Sequence, residues 1–215
     1  MRVNECMNKE KNRMLLVIDV QNDFCPGGSL AVHDGDSVVP VVNRLTSHFD
    51  LVVATQDWHP ENHVSFVKNH PGRNVHDRIY VDGISQVLWP THCVAGTHGA
   101  DFHPALNAEN FQLILRKGTH PSVDSYSAFM ENDKKTVTGL EGYLKGLRIE
   151  NVYVCGLATD YCVFRSVMDS VQAGFKTHVV IDGCRGVNVP QGSVDKAIET
   201  MKENGVLILH SSGLL

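Results

Sequence analysis

Paired cysteines are missing from this sequence. Its six (Cys6, Cys25, Cys93, Cys155, Cys162, Cys184) are scattered through 215 residues without a CxxC spacing. That excludes a secreted disulfide scaffold and offers no resolving partner for a redox pair, so reduced thiols are expected. A basic surplus is missing too: 19 Lys and Arg against 24 Asp and Glu give a formal net charge of -5. No Lys/Arg cluster supplies the footprint a phosphate backbone requires, so nucleic acid is not an expected partner. No apolar run reaches the roughly 18 residues that span a bilayer. Arg2, Lys9, Lys11 and Arg13 are not followed by an apolar stretch of signal-peptide length. A cytoplasmic protein without a membrane partner is the expectation.

What is present is ordinary globular composition, 42% hydrophobic and 20% charged, enough to bury one substantial core. Residues 1–13 have no readable role and are set apart as an extension; 14–215 read as one domain. Met14 to Ile18, Leu51 to Ala54, Leu113 to Leu115, Val152 to Cys155, Val179 to Ile181 and Val206 to Leu209 are short, near-continuous apolar runs, the pattern of strands covered on both faces. Helical spacing lies between several of them. Val38, Val41, Val42, Leu45 and Phe49 share a face of a helix beginning near Asp36, with Pro40 in its first turn. Thr138 and Glu141 read as a capping box, Val163, Val167 and Val171 as a helix stopped at Gly174, and Val194, Ala197, Ile198 and Met201 as another stopped at Gly205. The alternation predicts an α/β fold: three layers, α/β/α, around a mostly parallel sheet of about six strands. The stretch from Asp57 to about Asn110 shows no confident strand, yet holds seven of the twelve histidines. A segment of that length is expected to serve a site or to cover one as a lid.

In open α/β sheets the ligand crevice lies beyond the carboxyl ends of the strands. The first run leads directly into Asp19, the third into Arg116 and Lys117, and the fourth into Gly156 to Cys162. A carboxylate, an ammonium and a thiol are thereby brought to one edge. Cys162 is expected in the first turn of a helix capped by Thr159 or Asp160, where backbone N–H groups and the positive dipole end favour a thiolate and can hold an oxyanion. Asp19 would take the thiol proton and Lys117 would stabilise both charges. Each residue alone has a plainer reading: a turn aspartate, a solvated lysine, a core cysteine. Their joint placement at strand ends is what points to catalysis.

Asp57 and His59 follow the second run two residues apart, so both project to one side of an extended chain and can share a divalent ion. Spacing leaves the third ligand open among His63, His92, His70 and His76. Mixed Asp and His ligation suits Zn, Fe or Mn at a catalytic or substrate-orienting site.

Five segments then align with a known family: Asp19-Val20-Gln21-Asn22-Asp23-Phe24, Asp57-Trp58-His59-Pro60, Trp89-Pro90-Thr91-His92-Cys93-Val94, Arg116-Lys117-Gly118 and Gly156 to Val163. In order and content they resemble the nicotinamidases of the isochorismatase-like cysteine hydrolases, over roughly Leu15 to Leu209. The resemblance implies hydrolysis of nicotinamide to nicotinate and ammonia through a thioester, in NAD salvage, with pyrazinamide as an alternative substrate. It implies a triad of Asp19, Lys117 and Cys162, and a metal, zinc before iron or manganese, on Asp57, His59 and His92, with His63 left open as a further ligand. It also implies a cis peptide before Ala158, an oxyanion hole from the Ala158 and Cys162 amides, and a ring sandwich of Phe24 and Trp89, with Tyr126 in the matching region. A homo-oligomer is compatible with the sequence but not indicated by it. An N-carbamoyl amidase would not need the metal motif, and an isochorismatase would lack Cys162. A catalytically silent metal-dependent binding protein would not need all three triad positions, and a thiol sensor would need a second cysteine near Cys162.

Overall fold

The computed structural model describes residues 12–215. Along them the chain runs β1 (Arg13–Ile18), α1 (Val39–Thr46), β2 (Val52–Asp57), β3 (Arg78–Val81), β4 (Ile84–Val87), β5 (Leu113–Lys117), α2 (Leu140–Gly146), β6 (Asn151–Leu157), α3 (Phe164–Gln172), β7 (Lys176–Arg185), α4 (Ser193–Glu203) and β8 (Leu207–Leu209). Six strands form one sheet in the order β5-β2-β1-β6-β7-β8, every pairing parallel. Helices flank it to give the three-layer α/β/α architecture. Met14 to Ile18 on β1 are fully buried, as a central strand covered on both faces requires.

The strand order reverses at β1. The chain builds outward from β1 through β2 to β5, then returns to lay β6, β7 and β8 on the other side. Such a switch point leaves a crevice at the carboxyl ends of the strands flanking it. Asp19 follows β1, Asp57 ends β2, Lys117 ends β5, and the turn to Cys162 follows β6. At the seam Gly156 (φ 116°) is pressed so close to β1 that a Cβ there would collide with the Ile18 carbonyl.

Four local readings are corrected. Arg13, placed in the extension, begins β1, where it pairs with Asn151 and rests its guanidinium 4.7 Å from the Phe49 ring centre; the remainder of the extension through residue 11, including Cys6, lies outside the described residues. The 57–110 segment contains a two-stranded antiparallel hairpin, β3 and β4, in which β3 is largely exposed and the Ser85-Gln86 pair interrupts β4, leaving no continuous apolar run to read. The Thr138 to Glu141 capping box does not form: α2 is preceded by Gly139, Thr138 Oγ donates to the Ala128 carbonyl at 2.7 Å, and Glu141 pairs with Lys145 at 2.6 Å. Neither Thr159 nor Asp160 caps the helix after β6. Ala158 starts a single π turn, Thr159–Val163, which runs into α3, and the Asp160 carboxylate reaches elsewhere.

Candidate active site

Lys117, which no solvent reaches, is the hub. Its Nζ lies 2.9 Å from Asp19 Oδ2, 3.4 Å from Cys162 Sγ and 3.1 Å from the Ser125 carbonyl, and it also contacts Asp57 Oδ1. The three residues singled out at strand ends are thus brought together. Arg116 is not; it turns away and stacks over Trp58 at 3.7 Å, as strand alternation dictates for the neighbour of an inward-facing lysine. Asp19 leaves β1 with φ 47°, a conformation Asp tolerates better than most residues. Its Oδ1 accepts a 2.5 Å hydrogen bond from Thr55 Oγ. Thr55 is a positioning group that the motif reading missed, although it sits two residues before Asp57 on the same face of β2.

Burial raises the Asp19 carboxyl to about 6, with Lys117 pulling down and Asp57 pushing up. Burial also pushes the Cys162 thiol well above its ordinary value, against the pull of Lys117 and with Asp19 and Asp57 adding to the rise. The expected depression of the thiol by a helix N-terminus is therefore overturned, because desolvation next to two carboxylates outweighs it. Burial thus favours a neutral S–H beside the Asp19 carboxylate, a state suited to base-assisted attack rather than to a standing thiolate.

Asp57 joins this cluster to a second one. His59 Nδ1 donates to the Gly118 carbonyl and His92 Nδ1 to the Pro90 carbonyl, both at 2.8 Å. Each ring therefore turns Nε2 toward Asp57 Oδ2, at 3.6 and 3.9 Å. Backbone carbonyls that fix the tautomer and aim the free nitrogen are the usual support of metal-binding imidazoles. Burial lowers His92 to about 4, leaving a neutral ring with its lone pair available. Burial pulls His59 down too, but the adjacent Asp57 carboxylate outweighs it and the net shift is upward. Two buried carboxylates face one ammonium here, and a divalent ion at Asp57, His59 and His92 would compensate the remaining negative charge. By donors, spacing and charge, the three residues fit a divalent metal.

His63 does not point into this set. Its ring stacks on His59 at 4.1 Å, with Nδ1 2.7 Å from Ser65 Oγ and Nε2 facing the Val123 carbonyl at 3.4 Å. Of the other candidate histidines, His70 bonds the Val64 carbonyl and His76 meets Trp89 edge-on. Gln21 is a further residue whose role the motif concealed: its side chain donates to the Asp57 carbonyl and accepts from the Asp57 amide, both at 2.8 Å, fixing the backbone that carries this carboxylate.

A small cavity of about 30 Å³ opens onto both clusters, bounded by Phe24, Asp57, Trp89, His92, Tyr126, Ala158, Tyr161, Cys162 and Val187. Phe24 lies on one side beside His92, with ring centres 5.6 Å apart, and Trp89 donates its indole N–H to the Tyr126 hydroxyl at 3.0 Å. Tyr161, absent from the sequence-based list, meets Trp89 edge-on at 4.9 Å. The Leu157–Ala158 peptide is cis. The arrangement offers a nucleophile, a base, a fixed cation, a metal position and an aromatic slot of planar-ring character.

Comparison with known proteins gives a consistent result. A family model described as Isochorismatase domain matches residues 13–212. The chain is similar to the nicotinamidase of Acinetobacter baylyi, 48% identical over 209 residues that cover 97% of each protein. It is also similar to the solved nicotinamidase and pyrazinamidase of Acinetobacter baumannii, with a TM-score of 0.92 and 53% identity over 95% of this chain and 98% of that one. The pyrazinamidase of Pyrococcus horikoshii, solved in complex with zinc, has a TM-score of 0.76 and 35% identity over 93% of this chain and 99% of that one.

Proposed function

The chain belongs to the isochorismatase family, and we propose that within it this protein is an amidohydrolase that converts nicotinamide to nicotinate and ammonia, returning the pyridine to NAD synthesis. Pyrazinamide, an aromatic carboxamide of the same shape, is a second substrate. The observation that carries this reading is the convergence of Asp19 and Cys162 on Lys117, within 3.4 Å, with Cys162, Asp57 and His92 bordering one aromatic-walled cavity. A cytoplasmic site of action accords with the five described cysteines being free thiols.

Phe24 and Trp89 hold the ring, with Tyr126 closing the slot. Asp57, His59 and His92 would hold a divalent ion, which we take to be zinc and which would supply Lewis-acid anchoring for the ring nitrogen. Asp19 takes the thiol proton as sulfur attacks the carboxamide carbon; its value near 6 keeps it ionised at neutral pH yet basic enough to accept. Lys117 balances the charge that moves between them. The Ala158 and Cys162 amides receive the oxyanion. Asp19 returns the proton to the nitrogen, the C–N bond breaks, ammonia leaves, and a thioester remains on Cys162. Asp19 then activates water, which adds to the thioester carbon, and release of nicotinate restores the thiol.

The test is ammonia release from nicotinamide, before and after dialysis against a chelator. Turnover that disappears on chelation and returns with added divalent metal is the expected result; an untreated protein that releases no ammonia from nicotinamide overturns the reading.

A further inference from the structure

The turn that carries Cys162 is tied to a distant loop chiefly by one carboxylate. Asp160 lies midway between Ala158 and Cys162, and none of its hydrogen bonds is spent on the turn as a cap. Its Oδ1 accepts from the Val187 amide at 2.9 Å, and its Oδ2 accepts from the Asn188 amide at 2.9 Å and from Ser193 Oγ at 2.5 Å. The next residue makes a parallel tie, Tyr161 donating its hydroxyl to the Val189 carbonyl at 2.7 Å. Gly186 packs so tightly on this junction that a Cβ there would lie 3.1 Å from Asp160 Oδ1. The loop fastened in this way is not idle, because Val187 and Tyr161 both border the catalytic cavity.

Two consequences follow from charge and geometry. A carboxylate that accepts three hydrogen bonds, one from each of two successive amides and one from a hydroxyl at the start of α4, holds its partners more firmly than a neutral group, since charge-assisted bonds are roughly twice as strong. It also fixes the π turn from outside, at the residue between the two whose amides face the oxyanion. Catalytic power in such a site depends on holding reacting groups to well under an ångström, and a displacement of about 1 Å can cost on the order of a hundredfold in rate.

We infer that Asp160 is a positioning residue for the amide hydrolysis: by clamping the 187–193 loop against the π turn it sets the oxyanion-binding backbone and the Val187 wall of the substrate slot at the same time. The inference rests on the amidase reading above. It concerns orientation alone, since Asp160 carries no bond to the thiol, the base or the metal ligands.

Asp160→Asn tests it, because the amide keeps the size but can accept at only one of the two oxygens. The expected result is a kcat lowered about ten- to a hundredfold, with a smaller rise in KM, at unchanged metal content and a melting temperature within a few degrees of the parent. Alkylation of Cys162 by iodoacetamide, which needs no oxyanion hole, is expected to proceed at the parental rate or faster. Ser193→Ala removes one of the three donors and keeps the charge, and is expected to lower kcat about two- to fivefold. A parental kcat in Asp160→Asn overturns the inference, as does a loss of kcat matched by an equal loss of alkylation. Should Asp160→Asn fail to fold, a parental kcat in Ser193→Ala overturns it. The parent enzyme must release ammonia from nicotinamide in the same assay; its failure would count against the amidase reading, whereas an active parent with an unaffected Asp160→Asn counts against the clamp.

Discussion

In the proposed mechanism Asp19 is the residue on which the chemistry turns, and its environment would set the pH at which the site works. Burial lifts its carboxyl to about 6, so the base is ionised and able to take the thiol proton above that pH and is protonated below it. The ratio kcat/KM is therefore expected to fall as pH drops through about 6, in a profile recorded with metal saturating; a profile still flat at pH 4.5 would contradict Asp19 as the base. Replacing it with Asn keeps the hydrogen bond available from Thr55 but removes the base, and is expected to lower kcat by on the order of a thousandfold or more, since members of such a cluster act as a unit. The carboxylate, ammonium and thiol were legible in the sequence because strand ends announce the crevice. Their protonation states were not. A helix start argues for a thiolate, and only the three-dimensional neighbourhood shows burial and two carboxylates overriding it. Thr55 and Gln21 were invisible for a related reason: a positioning side chain carries no chemistry of its own and is identified by what it touches.

At the scale of elements, two glycines show how backbone places side chains. After β5 the chain passes Gly118 at φ 62°, where a Cβ would strike the ring of His59. Gly118→Ala is expected to tilt that imidazole off the Gly118 carbonyl and weaken divalent metal binding about 10- to 100-fold, the usual cost of disturbing a ligand's supporting hydrogen bond; metal titration of the apo-protein measures it, and unaltered affinity would refute the ligand assignment of His59. Gly156 has the corresponding part at the β1/β6 seam. Gly156→Ala places a methyl against the Ile18 carbonyl with φ at 116°, and a loss of stability on the order of 3 kcal/mol is expected in denaturant titration. All six sheet strands could be read from apolar runs. The β3–β4 hairpin could not, because β3 alternates between exposed and half-buried residues and β4 buries only Gln86 and Val87. Caps were read least well: Thr138 and Asp160 are the right residue types to start a helix, yet Thr138 donates to the Ala128 carbonyl and accepts only the first α2 amide, that of Leu140, while Asp160 bonds the 187–193 loop.

For the whole molecule, the strand order explains why residues as far apart as Asp19 and Cys162 meet. Reversal at β1 lays β2 and β6 on its two sides, and the carboxyl ends of β1, β2, β5 and β6 deliver one functional residue or segment each. A metal held by Asp57, His59 and His92 would be part of this architecture as well as of the proposed chemistry. An ion bound by the folded chain and not by the unfolded one adds stability in proportion to its saturation, so chelation is expected to lower the melting temperature, and an unchanged melting temperature in a protein freed of metal would place the ion outside the Asp57, His59 and His92 cluster. Among the described residues no helix is long and apolar enough to cross a membrane.

The proposed chemistry depends most directly on sulfur attacking the amide. Ammonia released from nicotinamide by Cys162→Ala, at a metal content equal to the parent's, measures this in one step. No release above the uncatalysed background is expected, with the fold intact by circular dichroism; turnover at even a few percent of the parental rate would contradict a thioester on Cys162 and with it the mechanism built here.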